Sequence, residues 1–160
     1  MDSGDAIQLI VLFILLLLSA FFSSAETAMT TVNKIRIMSL ADDGNKRAKT
    51  LMKIIDDPGK LLSTILIGNN IVNLSASSLA TTWTTRVFGN AFIGVATGVL
   101  TLLVLLFGEI TPKTMATLSA EKFSLTYAPI IYTLMKILTP VIFLVNKLSS
   151  GVLFLLHVDP

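Results

Sequence analysis

The chain has 160 residues, of which 53% are hydrophobic and only 14% charged, where a soluble globular domain carries roughly 25% charged residues; this is the composition of a membrane protein. A net charge of +2 is too small for a nucleic-acid surface, and no interleaving of aromatic and basic residues supports one. With no cysteine, disulfides, thiolate chemistry and cysteine-held metals are excluded.

A bilayer core of ~30 Å takes roughly 20 helical residues. The first segment of that kind covers residues 6–28 and reads AIQLIVLFILLLLSAFFSS at its start. A secretory signal wants a basic leader and a shorter apolar core. Here Asp2 and Asp5 precede the run without any Lys or Arg, so it is read as a retained transmembrane helix. It closes on Ser23, Ser24, Glu26 and Thr27. Serines in membrane helices mostly bond back to helix carbonyls, and alone they would mean little.

Residues 34–57 follow as KIRIMSLADDGNKRAKTLMKIIDD. Ile35, Met38 and Leu40, then Leu51, Ile54 and Ile55, predict two short amphipathic helices separated by Asp42-Asp43-Gly44-Asn45 and ended at Asp57-Pro58-Gly59. This stretch and Lys60 carry seven Lys and Arg, whereas the loop between the next two spans holds only Arg86. The positive-inside rule places the basic pair in the cytoplasm and the N-terminus outside; three spans then put the C-terminus inside.

The second span, residues 61–83, carries Asn69, Asn70 and Asn73 near its middle. Spacings of three and four put these carboxamides on one side of a helix. Unpaired amides in hydrocarbon cost several kcal/mol each, so they must face protein or water. Interhelical hydrogen bonding explains a single Asn; three within five residues, preceded by Gly68, point towards a lined cavity. The third span, residues 91–110, ends FGEITPKT. Glu109 lies at the edge of a long uncharged run, where a carboxylate costs roughly 2.5–3.5 kcal/mol. Pro112 lacks an N–H and disfavours helix at Thr111, so a kink or an unwound turn is expected. Freed carbonyls beside a carboxylate make a cation-binding corner; pairing of Glu109 with Lys113 at the interface is the alternative. The last apolar region, residues 120–156, is interrupted by Pro129 and Pro140 and punctuated by Lys122, Lys136 and Lys147. It reads as a kinked juxtamembrane helix whose lysines snorkel, with one or two further spans as the alternative.

Depth tests whether these groups meet. With Lys34, Lys60 and Lys113 as inner-interface markers and ~1.5 Å of rise per residue, Ser23 lies ~16 Å above its marker, Asn69 ~13 Å and Asn73 ~20 Å, but Glu109 only ~6 Å. The glutamate is therefore expected to sit lower than the rest. Hydroxyl, carboxamide and carboxylate oxygens are hard ligands that suit Mg²⁺, Ca²⁺ or Na⁺. A single carboxylate implies weak, reversible binding, as a transport site needs.

The chain resembles the membrane domain of the CorC/CNNM (cyclin M) magnesium transporters, on SAFFSSAETA in the first span, LSTILIGNNIVN in the second and FGEITPKT in the third. The resemblance implies an all-α membrane protein that forms a homodimer in the lipid bilayer, with three transmembrane helices, a cytoplasmic helical pair and a juxtamembrane belt helix. It implies Mg²⁺ efflux coupled to Na⁺ influx by alternating access. It also implies a metal site built from Ser23 (with Ser24), Asn69 and Asn73 (with Asn70), and Glu109, with Pro112 and Lys113 structural. Cytoplasmic CBS domains that bind adenine nucleotide are expected of the family and are not in this sequence, so no nucleotide site is assigned. His157 is read as a linker or interface residue. The rival function is a magnesium-sensing membrane scaffold that binds ions without moving them. An intramembrane enzyme is disfavoured, because Ser23 has no His or Lys predicted at its depth to activate it.

Overall fold

A computed structural model describes residues 3–158; Asp2, which argued with Asp5 against a signal peptide, lies outside them. The described residues are almost wholly helical and contain no strand, as expected of an all-α membrane protein. Helices α1 (Ser3–Thr31), α2 (Lys34–Asp42), α3 (Lys46–Ile55), α4 (Pro58–Phe88), α5 (Ile93–Val104), α6 (Thr111–Leu118), α7 (Ala120–Ile137) and α8 (Thr139–Leu155) follow in chain order. A 3-10 turn at Asn90–Phe92 precedes α5, and a π-helical turn at Leu105–Ile110 joins α5 to α6.

The chain divides into two compact units. The first comprises residues 1–33 and 65–124. Two of its helical stretches are long and apolar enough to cross a membrane: α1 and the continuous run Ile93–Leu118. One face of α1 stays open, with Ile7, Ile10, Phe13 and Leu17 all more than half exposed, while Leu12, Ser19, Phe22, Ser23 and Ala25 are buried. That split is what a helix with lipid on one side and protein on the other requires. Helix α4, expected as the second span, has the length at 31 residues, but its Asn, Ser and Thr side chains lower its apolarity, so its polar face needs protein or water beside it. It comes close to α1 where Gly68 meets the Phe22 ring. At one end, Arg86 pairs with Asp5 at 3.3 Å and the Trp83 indole donates to the Asp5 carbonyl at 3.2 Å, tying the start of α1 to the end of α4.

The second unit comprises residues 34–64 and 125–160. The predicted helical pair is present. Gly44 turns the chain with φ +95°, a conformation that glycine adopts without penalty. Asn45 then caps α3 by accepting the Ala48 N–H at 3.0 Å. Ile37, Ala48, Leu51 and Ile54 are fully buried, which seats the pair on its apolar faces. Asp57 accepts the Lys60 N–H at 3.3 Å and Pro58 opens α4, so the residues predicted to end one helix also start the next. His157, just past α8, is exposed and has φ +59°, the left-handed conformation that commonly ends a helix.

The proline-bearing segments follow the expectations in part. The α-helix does widen ahead of Pro112, into the π turn at Leu105–Ile110, but the third helical run does not end at Ile110. It runs to Leu118, because the Thr111 N–H bonds back to the Leu106 carbonyl in the π register, and the wider turn accommodates a proline that cannot donate. Pro129 does not interrupt the last region; it lies inside α7. The break falls at Leu138, ahead of Pro140, where α7 and α8 bend by 62°, since the helix geometry fails on the N-terminal side of a proline.

Candidate functional site

Within the first unit, α1, α4 and α5 enclose two adjoining cavities that share Asn73. One, of about 280 Å³, runs between α4 and α5 and is lined at its polar places by Asn73, Ser77, Thr81, Thr97, Thr101 and Glu109. The other, of about 340 Å³, lies among α1, α4 and α5 and is apolar apart from Ser19 and Asn73. Ser19 is buried and its hydroxyl donates to the Asn73 Oδ1 at 3.0 Å, so the carboxamide is oriented where the two cavities adjoin. Thr81 and Thr101 spend their protons on Ser77 and Thr97 carbonyls of their own helices, which leaves hydroxyl lone pairs as acceptors.

Of the residues expected at the site, Asn73 and Glu109 are brought together as walls of one cleft. Lys113 lies inside the run Ile93–Leu118 rather than at its end and folds back on Glu109 at 3.6 Å. The ion pair and the cleft position of the glutamate, posed as alternatives, hold together. The side chain of Glu109 remains 23% exposed, so its charge stays open to a second cation.

Ser23 and Asn69 are placed otherwise. The Ser23 hydroxyl and the Asn69 Oδ1 are buried without a hydrogen-bond partner among the described residues, and neither residue lines the two shared cavities. Orphaned buried oxygens carry a desolvation cost of roughly 1–3 kcal/mol each, so both retain ligating capacity. Ser24 is buried, and its hydroxyl donates to the Phe21 carbonyl at 3.0 Å, the ordinary helix-serine arrangement. Asn70 is exposed. Steps of ~100° per residue spread the three asparagines over an arc of ~100° with Asn73 between the other two, and Asn70 stands at its exposed edge.

Ser19 was missed, although two signals pointed to it. It lies four residues before Ser23, on the same face, and ~1.5 Å of rise per residue puts it ~22 Å above Lys34, level with Asn73 at ~20 Å. Gly108 was also passed over. It is buried in the π turn, and a Cβ there would stand 3.0 Å from the Leu16 Cδ1 and 3.3 Å from the Ser19 hydroxyl. Its carbonyl would receive the N–H of position 112 in an α-helix, and proline supplies none. Among the described residues no three His, Cys, Asp or Glu side chains gather, so a cation here meets one carboxylate and otherwise neutral oxygens.

Residues 10–159 match the family described as the Cyclin M transmembrane N-terminal domain. The chain is 44% identical over 153 residues to a UPF0053 protein of Haemophilus influenzae, covering 93% of this chain and 36% of the relative. It is 41% identical over 132 residues to the UPF0053 inner membrane protein YfjD of Escherichia coli, covering 82% and 31%. A chloroplastic DUF21 domain-containing protein of Arabidopsis thaliana is 40% identical over 149 residues, covering 93% and 23%. The chain thus spans at most 36% of the length of these relatives.

Proposed function

The chain belongs to the cyclin M transmembrane-domain family, and on that premise we propose that it carries Mg²⁺ across a bilayer, with efflux coupled to Na⁺ influx by alternating access. The observation that carries this reading is the single cleft that takes in Asn73, oriented by Ser19, and Glu109. Mg²⁺ dehydrates reluctantly and is usually held by one or two carboxylates with several waters retained. A cleft of about 280 Å³ has room for an ion with most of its first shell, since six waters occupy ~180 Å³ at ~30 Å³ each. Asn73 and Glu109 then replace part of that shell, with Ser19 orienting the carboxamide and the orphaned Ser23 and Asn69 oxygens as further ligands when the helices shift. One carboxylate, half-committed to Lys113, keeps the binding weak enough to reverse.

The proposed setting is a homodimer in a cell membrane, with the N-terminus outside, the basic α2–α3 pair in the cytoplasm and α7–α8 as the bent juxtamembrane belt. The test is Mg²⁺ flux in proteoliposomes under an imposed Na⁺ gradient, wild type beside Asn73→Ala. Gradient-dependent flux abolished by the substitution, with assembly unchanged, is the expected result. Normal flux through Asn73→Ala would refute the site. Binding of Mg²⁺ by folded protein with no flux would favour the sensor scaffold instead.

A further inference from the structure

The second unit carries positive charge that the cation site does not use. Its segments hold nine Lys and Arg against five Asp, and two of the lysines converge. The Lys53 ammonium of α3 lies 5.8 Å from the centre of the Tyr132 ring of α7, and that of Lys136 lies 4.5 Å from it. Neither has a carboxylate partner among the described residues. Two ammoniums over one ring are no farther apart than about 10 Å, the Debye length at ~0.1 M salt, so their repulsion is only partly screened.

This meeting is built by helix packing. The Arg47 guanidinium of α3 donates to the Thr126 carbonyl of α7 at 3.4 Å. The spacing from Arg47 to Lys53 equals that from Thr126 to Tyr132, so α3 and α7 run alongside in the same direction. A neutral ring attracts each ammonium but cancels neither charge. An anion does, and the Tyr132 hydroxyl adds a neutral donor to the two ammoniums.

The surroundings say what presents that anion. Beside Lys136, Ile137 is 64% exposed, and on α8 Phe143 is 68% exposed with the Lys147 ammonium 5.8 Å over its ring. Lysines lying along aromatic and aliphatic surface, with their heads at its polar edge, fit the boundary between acyl chains and headgroups. We propose that Lys53, Lys136 and Tyr132 form a recognition site for the phosphate of an anionic phospholipid headgroup. This does not depend on whether the protein transports Mg²⁺.

The experiment titrates the detergent-purified protein with dioctanoyl phosphatidylglycerol, with dioctanoyl phosphatidylcholine and with inorganic phosphate, counting bound lipid by native mass spectrometry. Wild type should retain phosphatidylglycerol in preference to phosphatidylcholine. Lys53→Met/Lys136→Met should weaken it by about fivefold per lysine removed. Lys53→Arg/Lys136→Arg should keep it, and Lys49→Met, an equal loss of charge at an exposed position of the same helix, should leave it nearly unchanged. The site is overturned if Lys49→Met weakens binding as much as Lys53→Met alone, if the double Met variant binds as wild type, or if phosphatidylcholine is held equally. Displacement of the lipid by millimolar inorganic phosphate would overturn the headgroup as the source of the phosphate.

Discussion

Replacing Gly68 by alanine should strain the closest approach of α4 to α1. The new Cβ would stand 2.5 and 2.6 Å from two carbons of the Phe22 ring, where carbon atoms prefer roughly 3.5–4.0 Å. The ring must therefore retreat by about 1 Å. It has little room, being 7% exposed and set edge-on to Phe21 at 5.2 Å. Overpacking of this kind costs about 1–3 kcal/mol. Phe22→Leu removes the ring carbons that the methyl meets, so the double variant should recover at least ~1 kcal/mol relative to the sum of the single costs. The assay is unfolding of the purified protein in mixed dodecyl maltoside and dodecyl sulfate micelles, followed by helicity. Strictly additive costs, or a Gly68→Ala protein as stable as wild type, would refute the contact. Because Phe22 adjoins Ser23 and Gly68 adjoins Asn69, the same substitution should also weaken Mg²⁺ binding.

Ser19→Ala removes the donor that orients Asn73 and should cost about 0.5–1.5 kcal/mol of stability while lowering Mg²⁺ affinity, read by calorimetry; unchanged affinity would place the ion away from that carboxamide. Asn45→Ala deletes the cap of α3 and should destabilise by ~1 kcal/mol, seen as faster amide exchange at Ala48; equal exchange would mean the cap is redundant. Arg86→Gln breaks the pair with Asp5, whose side chain is only 14% exposed, and should destabilise by more than the ~1 kcal/mol of an exposed pair; a smaller loss that vanishes in high salt would show the pair to be solvated.

The helical, membrane-bound character of the chain was legible in its apolar runs, because each helix reports its own period. The α2–α3 pair was legible for the same local reason, since Gly44, Asn45 and Pro58 act within a turn of their own positions. Glu109 and Asn73 were legible as candidates that must face protein or water, because a carboxylate and a carboxamide are costly in lipid wherever they point. Other features were settled only by tertiary structure. Asn70 looked equivalent to its neighbours, but the azimuth at which α4 packs against α1 leaves it outside. Ser19 looked like one more helix serine until α4 brought Asn73 to its hydroxyl. Pro112 sits beside a π turn, Pro129 lies inside a continuous helix and Pro140 follows a bend, since a proline states only which hydrogen bond is missing, while packing decides whether the helix widens, continues or bends. The contact of Lys113 with Glu109 was one of two readings left open, and it is present beside the cleft. Composition and period are properties of a segment alone and can be read from it. The encounter of Ser19, Asn73 and Glu109 depends on how α1, α4 and the Leu105–Ile110 turn fit together, and interactions between residues so far apart in the chain leave no local period to read.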